Sequence, residues 1–117
     1  MAAAGMLTLS ACASLPPPPT QAMQAAESAI ATAEQSRVAG SATAEMTLAR
    51  EKLTAARAEV RNERMVKAEY LAVEARGHAE LAHALSEETK ARAVNDEMRK
   101  GIETLKQEMD RSTGARP

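Results

Sequence analysis

At 117 residues the chain has room for one domain, and its 27 alanines, single aromatic residue (Tyr70) and 26% charged residues read as long helix or coiled coil. A formal net charge of -1 and no aromatic set for stacking bases argue against nucleic acid as a partner. One cysteine excludes an internal disulfide. No apolar run reaches the roughly 18 residues of a membrane-crossing helix.

The first eleven residues, MAAAGMLTLSA, are apolar or small throughout. They fit the apolar part of a secretory signal that ends in small residues. Such a signal normally opens on Lys or Arg, whereas the first basic residue here is Arg37. Residues 1–11 therefore read as a signal peptide whose true start lies upstream, or as a truncated record. Leu9-Ser10-Ala11-Cys12 resembles the lipobox of bacterial lipoproteins: an aliphatic residue, two small ones, then Cys. That resemblance implies a diacylglycerol thioether on Cys12, cleavage before it and acylation of the new amino terminus. The alternative is an unmodified cysteine near a free terminus. The covalent lipid is the only added group expected. Pro16 to Pro19 follow after Ala13-Ser14-Leu15. A proline run favours extended polyproline II, about 3.1 Å per residue, so residues 12–20 read as a lipidated cysteine and tether. By the same resemblance, Ala13, standing where an Asp would imply inner-membrane retention, implies the periplasmic face of the outer membrane.

From Gln21 the apolar spacing turns helical. Met23, Ala26, Ile30 and Ala33 form the stripe of a first helix, and Gly40-Ser41 offers a stop and a fresh cap. Met46, Ala49, Leu53, Ala56 and Val60 form a second stripe, and Asn62 can end that helix or cap the next. A third helix is predicted from about Glu63 to Arg111, roughly 70 Å long, with residues 112–117 as a disordered tail. Its covered stripe is expected to be Val66, Tyr70, Val73, Leu81 and Leu85, with Tyr70 packed between helices and Gly77 allowing close approach. Beyond the reach of the second helix, Ala91, Val94, Met98, Ile102, Leu105 and Met109 make a narrow seam, with Gly101 as a weak point. Opposite charges four apart (Glu88 and Arg92, Arg92 and Asp96, Asp96 and Lys100, Arg99 and Glu103) are expected to pair on its other faces. The seam has no predicted partner within the chain. It pairs as a coiled coil with a second copy or another protein, or it frays.

The fold predicted for residues 21–111 is thus all-α: an antiparallel helical hairpin or three-helix bundle with a long, partly unpaired, coiled-coil-like third helix. Within it, Glu45-Met46-Thr47-Leu48-Ala49-Arg50-Glu51-Lys52-Leu53-Thr54-Ala55-Ala56-Arg57 resembles the "EL..AR.KL.AAR" helix of small bacterial envelope lipoproteins carrying domain of unknown function 4398. Leu71 to Ala75 and Ala79 to Ala82 resemble that family's "LA..A...A.LA" helix, and Ala29 to Glu34 its first helix. Two turns depart from the family pattern. Ala42-Thr43-Ala44 stands for its "YAP", and Glu63-Arg64-Met65 for its Gly-Asp-Tyr. The resemblance, over about Gln21 to Met98, implies work at the cell envelope without an assigned activity. Some members are fused to a peptidoglycan-binding module, which makes peptidoglycan-associated proteins candidate partners.

No catalytic or metal constellation stands out. His78 and His83, five apart, do not share a helix face, and zinc needs three or four ligands. They read as surface histidines, and Glu87-Glu88 as a solvated charge run. The expected function is a non-catalytic, membrane-anchored helical scaffold or adaptor. The alternatives are a periplasmic carrier of lipid or another apolar ligand, and a cytosolic coiled-coil adaptor if Cys12 carries no lipid.

Overall fold

The computed structural model describes residues 16–37 and 40–114. Three α-helices account for most of them: α1 (Thr20–Gln35), α2 (Ser41–Arg61) and α3 (Met65–Gly114), with no strand among the described residues. The signal, the lipobox and residues 115–117 lie outside the described residues.

The proline run leads into α1 because Pro19, which lacks an N–H of its own, still offers a carbonyl to Met23 N–H at 3.0 Å. At the other end Ser36 donates its hydroxyl to Ala33 O (2.6 Å), and Arg37 turns into the left-handed region at φ 55°. Gly40, at φ 64° and ψ -131°, occupies a conformation that L side chains avoid, and it sets the entry to α2. The second turn uses no glycine. Asn62 closes α2, Glu63 takes a left-handed φ of 59°, and Arg64 N–H bonds to Glu59 O (2.9 Å) while Glu63 N–H bonds to Val60 O (3.0 Å). This is a Schellman motif. It makes Glu63 a turn residue, so α3 begins at Met65 and not at Glu63 as the sequence suggested. Its far end runs three residues past Arg111, with the Ser112 and Thr113 hydroxyls bonded back to Met109 O (both 2.9 Å).

Ion pairs fix the helix directions. Glu34–Arg50 (2.8 Å) and Glu27–Arg57 (2.7 Å) step down α1 as they step up α2. The Glu45–His78 hydrogen bond (2.7 Å) and the Lys52–Glu74 ion pair (2.8 Å) do the same for α2 and α3. Both neighbouring pairs are therefore antiparallel, and α1 runs parallel to α3. α3 is the common partner, packing on both other helices.

The core is built largely of alanine. α1 buries Ala26, Ile30 and Ala33, and α2 buries Ala42, Met46, Ala49, Leu53 and Ala56. These are the predicted faces, with Ala42 added and Val60 only half-buried. On α3 the face is the opposite of the predicted one. Ala68, Ala72, Ala75, Ala79, Ala82 and Ser86 are buried, whereas Val66 (72% exposed), Tyr70 (63%), Val73 (57%) and Leu81 (46%) point outward and only Leu85 is half-buried. The reason is steric. Three slender helices gain more from close approach along an unbroken row of Cβ atoms than from larger side chains that would hold the axes apart. Gly77 allows no close approach either, since a Cβ placed there meets nothing within 4 Å.

Among the described residues only Ile30, Met46 and Leu53 are large apolar side chains in the buried class. α2, at 21 residues about 31 Å long, spans only the first part of α3. Ser86 is the last buried residue of α3, and every residue from Glu87 to Gly114 is exposed.

Candidate docking face

The predicted seam lies entirely on this overhang. Val94, Met98, Ile102, Leu105 and Met109 are between 52% and 65% exposed, and Ala91 is exposed beside them. Nothing in the described chain covers them. The face extends further than the seam spacing alone suggested. Counting 100° per residue, Val66, Tyr70 and Val73 fall within about 80° of the seam's mean direction, and Leu81 within about 100°. The outer residues of the bundled half and the seam of the free half thus form one apolar stripe, carried across the middle by Gly77 and Ala84 and interrupted at Glu88. The signal was present in the spacing: the alanine row from Ala68 steps 4, 3, 4, 3, 4 to Ser86, so the bulky stripe on the far side must face out.

The two ends of the molecule differ. Pro17 to Pro19 border a shallow groove with Glu69, Val73 and Arg76, near the start of α3. Because α1 and α3 run parallel, the proline segment enters at that end and the overhang projects from the other. Of the ion pairs expected four apart on the overhang, only Glu88–Arg92 forms, joined by Glu87–Lys90 at 2.7 Å. Arg99, Glu103, Lys106, Asp96 and Asp110 have no ion-pair partner among the described residues.

Polar groups with altered ionisation serve the bundle. Glu59 lies between Lys67 (3.0 Å) and Arg64, and chiefly the Lys67 hydrogen bond holds its pKa below the ordinary 4.5. Glu74 is lowered by its bond from Lys52, and Glu87 by its bond from Lys90. Lys52 is raised above 10.5 by Glu74. The carboxylates ionise more easily folded than unfolded. Their contribution is present above pH 4.5 and is lost as pH falls through their lowered folded values. The Lys52 contribution is lost only as pH climbs above 10.5. Melts followed by circular dichroism should therefore hold steady at neutral pH and drop below pH 4.5; an unchanged midpoint in acid would contradict these pairings.

The histidines are not simple surface groups. His78 Nδ1 sits 2.7 Å from Glu45 Oε2 between helices, and the buried His83 Nδ1 has no hydrogen-bond partner among the described residues. No group of three His, Cys, Asp or Glu side chains is placed to hold a metal among the described residues, and no described helix is long and apolar enough to cross a membrane. Tyr70, exposed, borders a depression with Pro16, Met65 and Val66 instead of packing between helices.

The profile of a protein family described as a domain of unknown function (DUF4398) matches residues 21–98. No curated protein and no solved structure matches the chain. The matched region takes in α1, α2 and the bundled half of α3, and it stops within the seam at Met98. The chain belongs to the DUF4398 family.

Proposed function

We infer that this protein is a non-catalytic lipoprotein of the bacterial outer membrane, held on the periplasmic side by lipid on Cys12, that serves as a helical scaffold or adaptor in the cell envelope. The observation that carries the reading is the exposed seam from Ala91 to Met109 on a helix that outruns its own bundle. An apolar stripe of this length is a docking surface by its chemistry. The tether enters the bundle at the far end, so the face points away from the anchor. The anchor itself rests on Leu9-Ser10-Ala11-Cys12 and the prolines after it. Two or more acyl chains make such an anchor stable, each buried methylene contributing about 0.8 kcal/mol. Protein partners of the envelope, peptidoglycan-associated ones included, are the class such a face would engage. The alanine core leaves only shallow, open grooves between the helices, which counts against the carrier alternative.

Fractionation of the native host tests the anchor. The parent chain should sediment with outer membrane and take up radiolabelled palmitate, and Cys12→Ser should lose the label and turn soluble. A variant that keeps the label, or a parent found in the soluble fraction without it, would overturn the reading.

A further inference from the structure

The proline run lies beside the first turns of α3 and leads toward the start of that helix. Pro17 to Pro19 border the groove with Glu69, Val73 and Arg76, and Pro16 borders the depression with Met65, Val66 and Tyr70. Val66 and Tyr70 are 72% and 63% exposed, and Met65 is half-buried beside them. Tyr70 is the single aromatic residue of the chain, and the fold leaves it at the surface.

We propose that the start of α3, with Met65, Val66 and Tyr70, is a membrane-contact face that rests in the headgroup layer of the bilayer holding the anchor. This rests on the reading of Cys12 as lipidated and adds a second point of contact to it. Chain length sets the distance. Cys12 stands four residues before Pro16, and four residues reach at most about 14 Å even when fully extended. A lipid on Cys12 fixes that residue at the bilayer surface. Pro16 then lies within about 14 Å of the surface, with Met65, Val66 and Tyr70 beside it. A single packed helix is about 10–12 Å across, so the gap has no room for a folded protein partner.

Dimensions and chemistry agree. From Met65 to Tyr70 the helix rises about 7.5 Å, close to the roughly 5–7 Å depth of one leaflet's polar layer. An aromatic ring with one polar end favours that layer. The charges around the depression cancel, with Arg61, Arg64 and Lys67 standing against Glu59, Glu63 and Glu69. The contact therefore needs no anionic lipid. It is weak, because few side chains make it, but an anchored chain meets the surface at an effective concentration on the order of millimolar. The seam from Ala91 to Met109, at the far end of α3, is left open to a protein partner.

Two single residues make the test specific: Cys12 is the only thiol and Tyr70 the only aromatic side chain. The full chain is coupled through Cys12 to a maleimide phospholipid in phosphatidylcholine vesicles, and tyrosine emission reads Tyr70 alone. Coupling should cut quenching by aqueous iodide at least about twofold relative to the uncoupled chain. Lipid carrying a nitroxide near the headgroup should quench the emission by about half or more. Val66→Asp should restore iodide access with helix content unchanged by circular dichroism, since Val66 is exposed. Val94→Asp, on the overhang, should leave both signals as in the parent. The proposal is overturned by a coupled Tyr70 as open to iodide as the uncoupled one, or by Val66→Asp behaving as the parent. It is overturned equally by Val94→Asp acting like Val66→Asp, or by iodide protection without nitroxide quenching, which would put a second copy over the ring. Coupling replaces the host's acylation, so the two readings fail separately. An open Tyr70 on vesicles, with Cys12 acylated in the host, would remove the contact and leave the anchor. A quenched Tyr70, with Cys12 never acylated in the host, would remove the anchor and leave a face with affinity for lipid.

Discussion

Ala79→Leu should cost the bundle about 3 kcal/mol. Ala79 is fully buried in the row that runs from Ala68 to Ser86, within one cluster with Met46, Ala49, Leu53 and Ile30. The added isobutyl group has no cavity to enter, so either the side chain leaves its preferred rotamer or α2 and α1 move off α3. Overpacking of this kind costs about 1–3 kcal/mol, and here the upper end applies because the contact is backbone-close along several turns. For a domain of this size the melting midpoint should fall by roughly 10–20 °C. The control lies on the other side of the same helix. Val73→Ala removes a larger apolar group, yet Val73 is exposed, and the change should stay within about 0.5 kcal/mol. Thermal melts by far-ultraviolet circular dichroism on the two variants decide which face of α3 is inside. A destabilising Val73→Ala with a silent Ala79→Leu would reverse the assignment.

Leu53→Ala should be of similar size for the opposite reason. Leu53 is 6% exposed and is one of three large apolar side chains that anchor an alanine core. It borders the α1–α2 contact with Ile30, beside the Glu27–Arg57 and Glu34–Arg50 pairs. Truncation removes its transfer free energy and leaves a gap that the alanines around it are too short to fill, costing about 2–4 kcal/mol. In urea the midpoint should fall with the slope unchanged. Leu105→Ala, on the overhang, should leave the unfolding of the bundle unaltered at concentrations where the chain is monomeric. An effect of Leu105→Ala equal to that of Leu53→Ala would mean that the overhang folds back onto the bundle.

The sequence was legible wherever one stripe dominated. Met23, Ala26, Ile30 and Ala33 in α1, and Met46, Ala49, Leu53 and Ala56 in α2, announce their buried faces through spacing alone. The free length of α3 followed from comparing helix lengths, and its seam residues are exposed as expected. The failure on α3 came from choosing between two stripes by size. Buried area favours Val66, Tyr70 and Val73, but helix separation favours alanine, and only the helix–helix contact decides. The turn at Glu63 gave no cue because its left-handed residue is not a glycine. His78 with Glu45, and Lys52 with Glu74, join positions far apart in the chain and become visible only once the antiparallel register is known. Of the ion pairs expected on the overhang, three did not form, because nothing holds those exposed side chains in one geometry.

Lipid on Cys12 would decide where this protein works, and the intact mass of the protein extracted from its native envelope tests it most directly. The predicted result is a chain that begins at Cys12, lacks residues 1–11 and carries the added mass of a diacylglycerol thioether and an amide-linked acyl group. A mass that retains residues 1–11 with an unmodified thiol would contradict it.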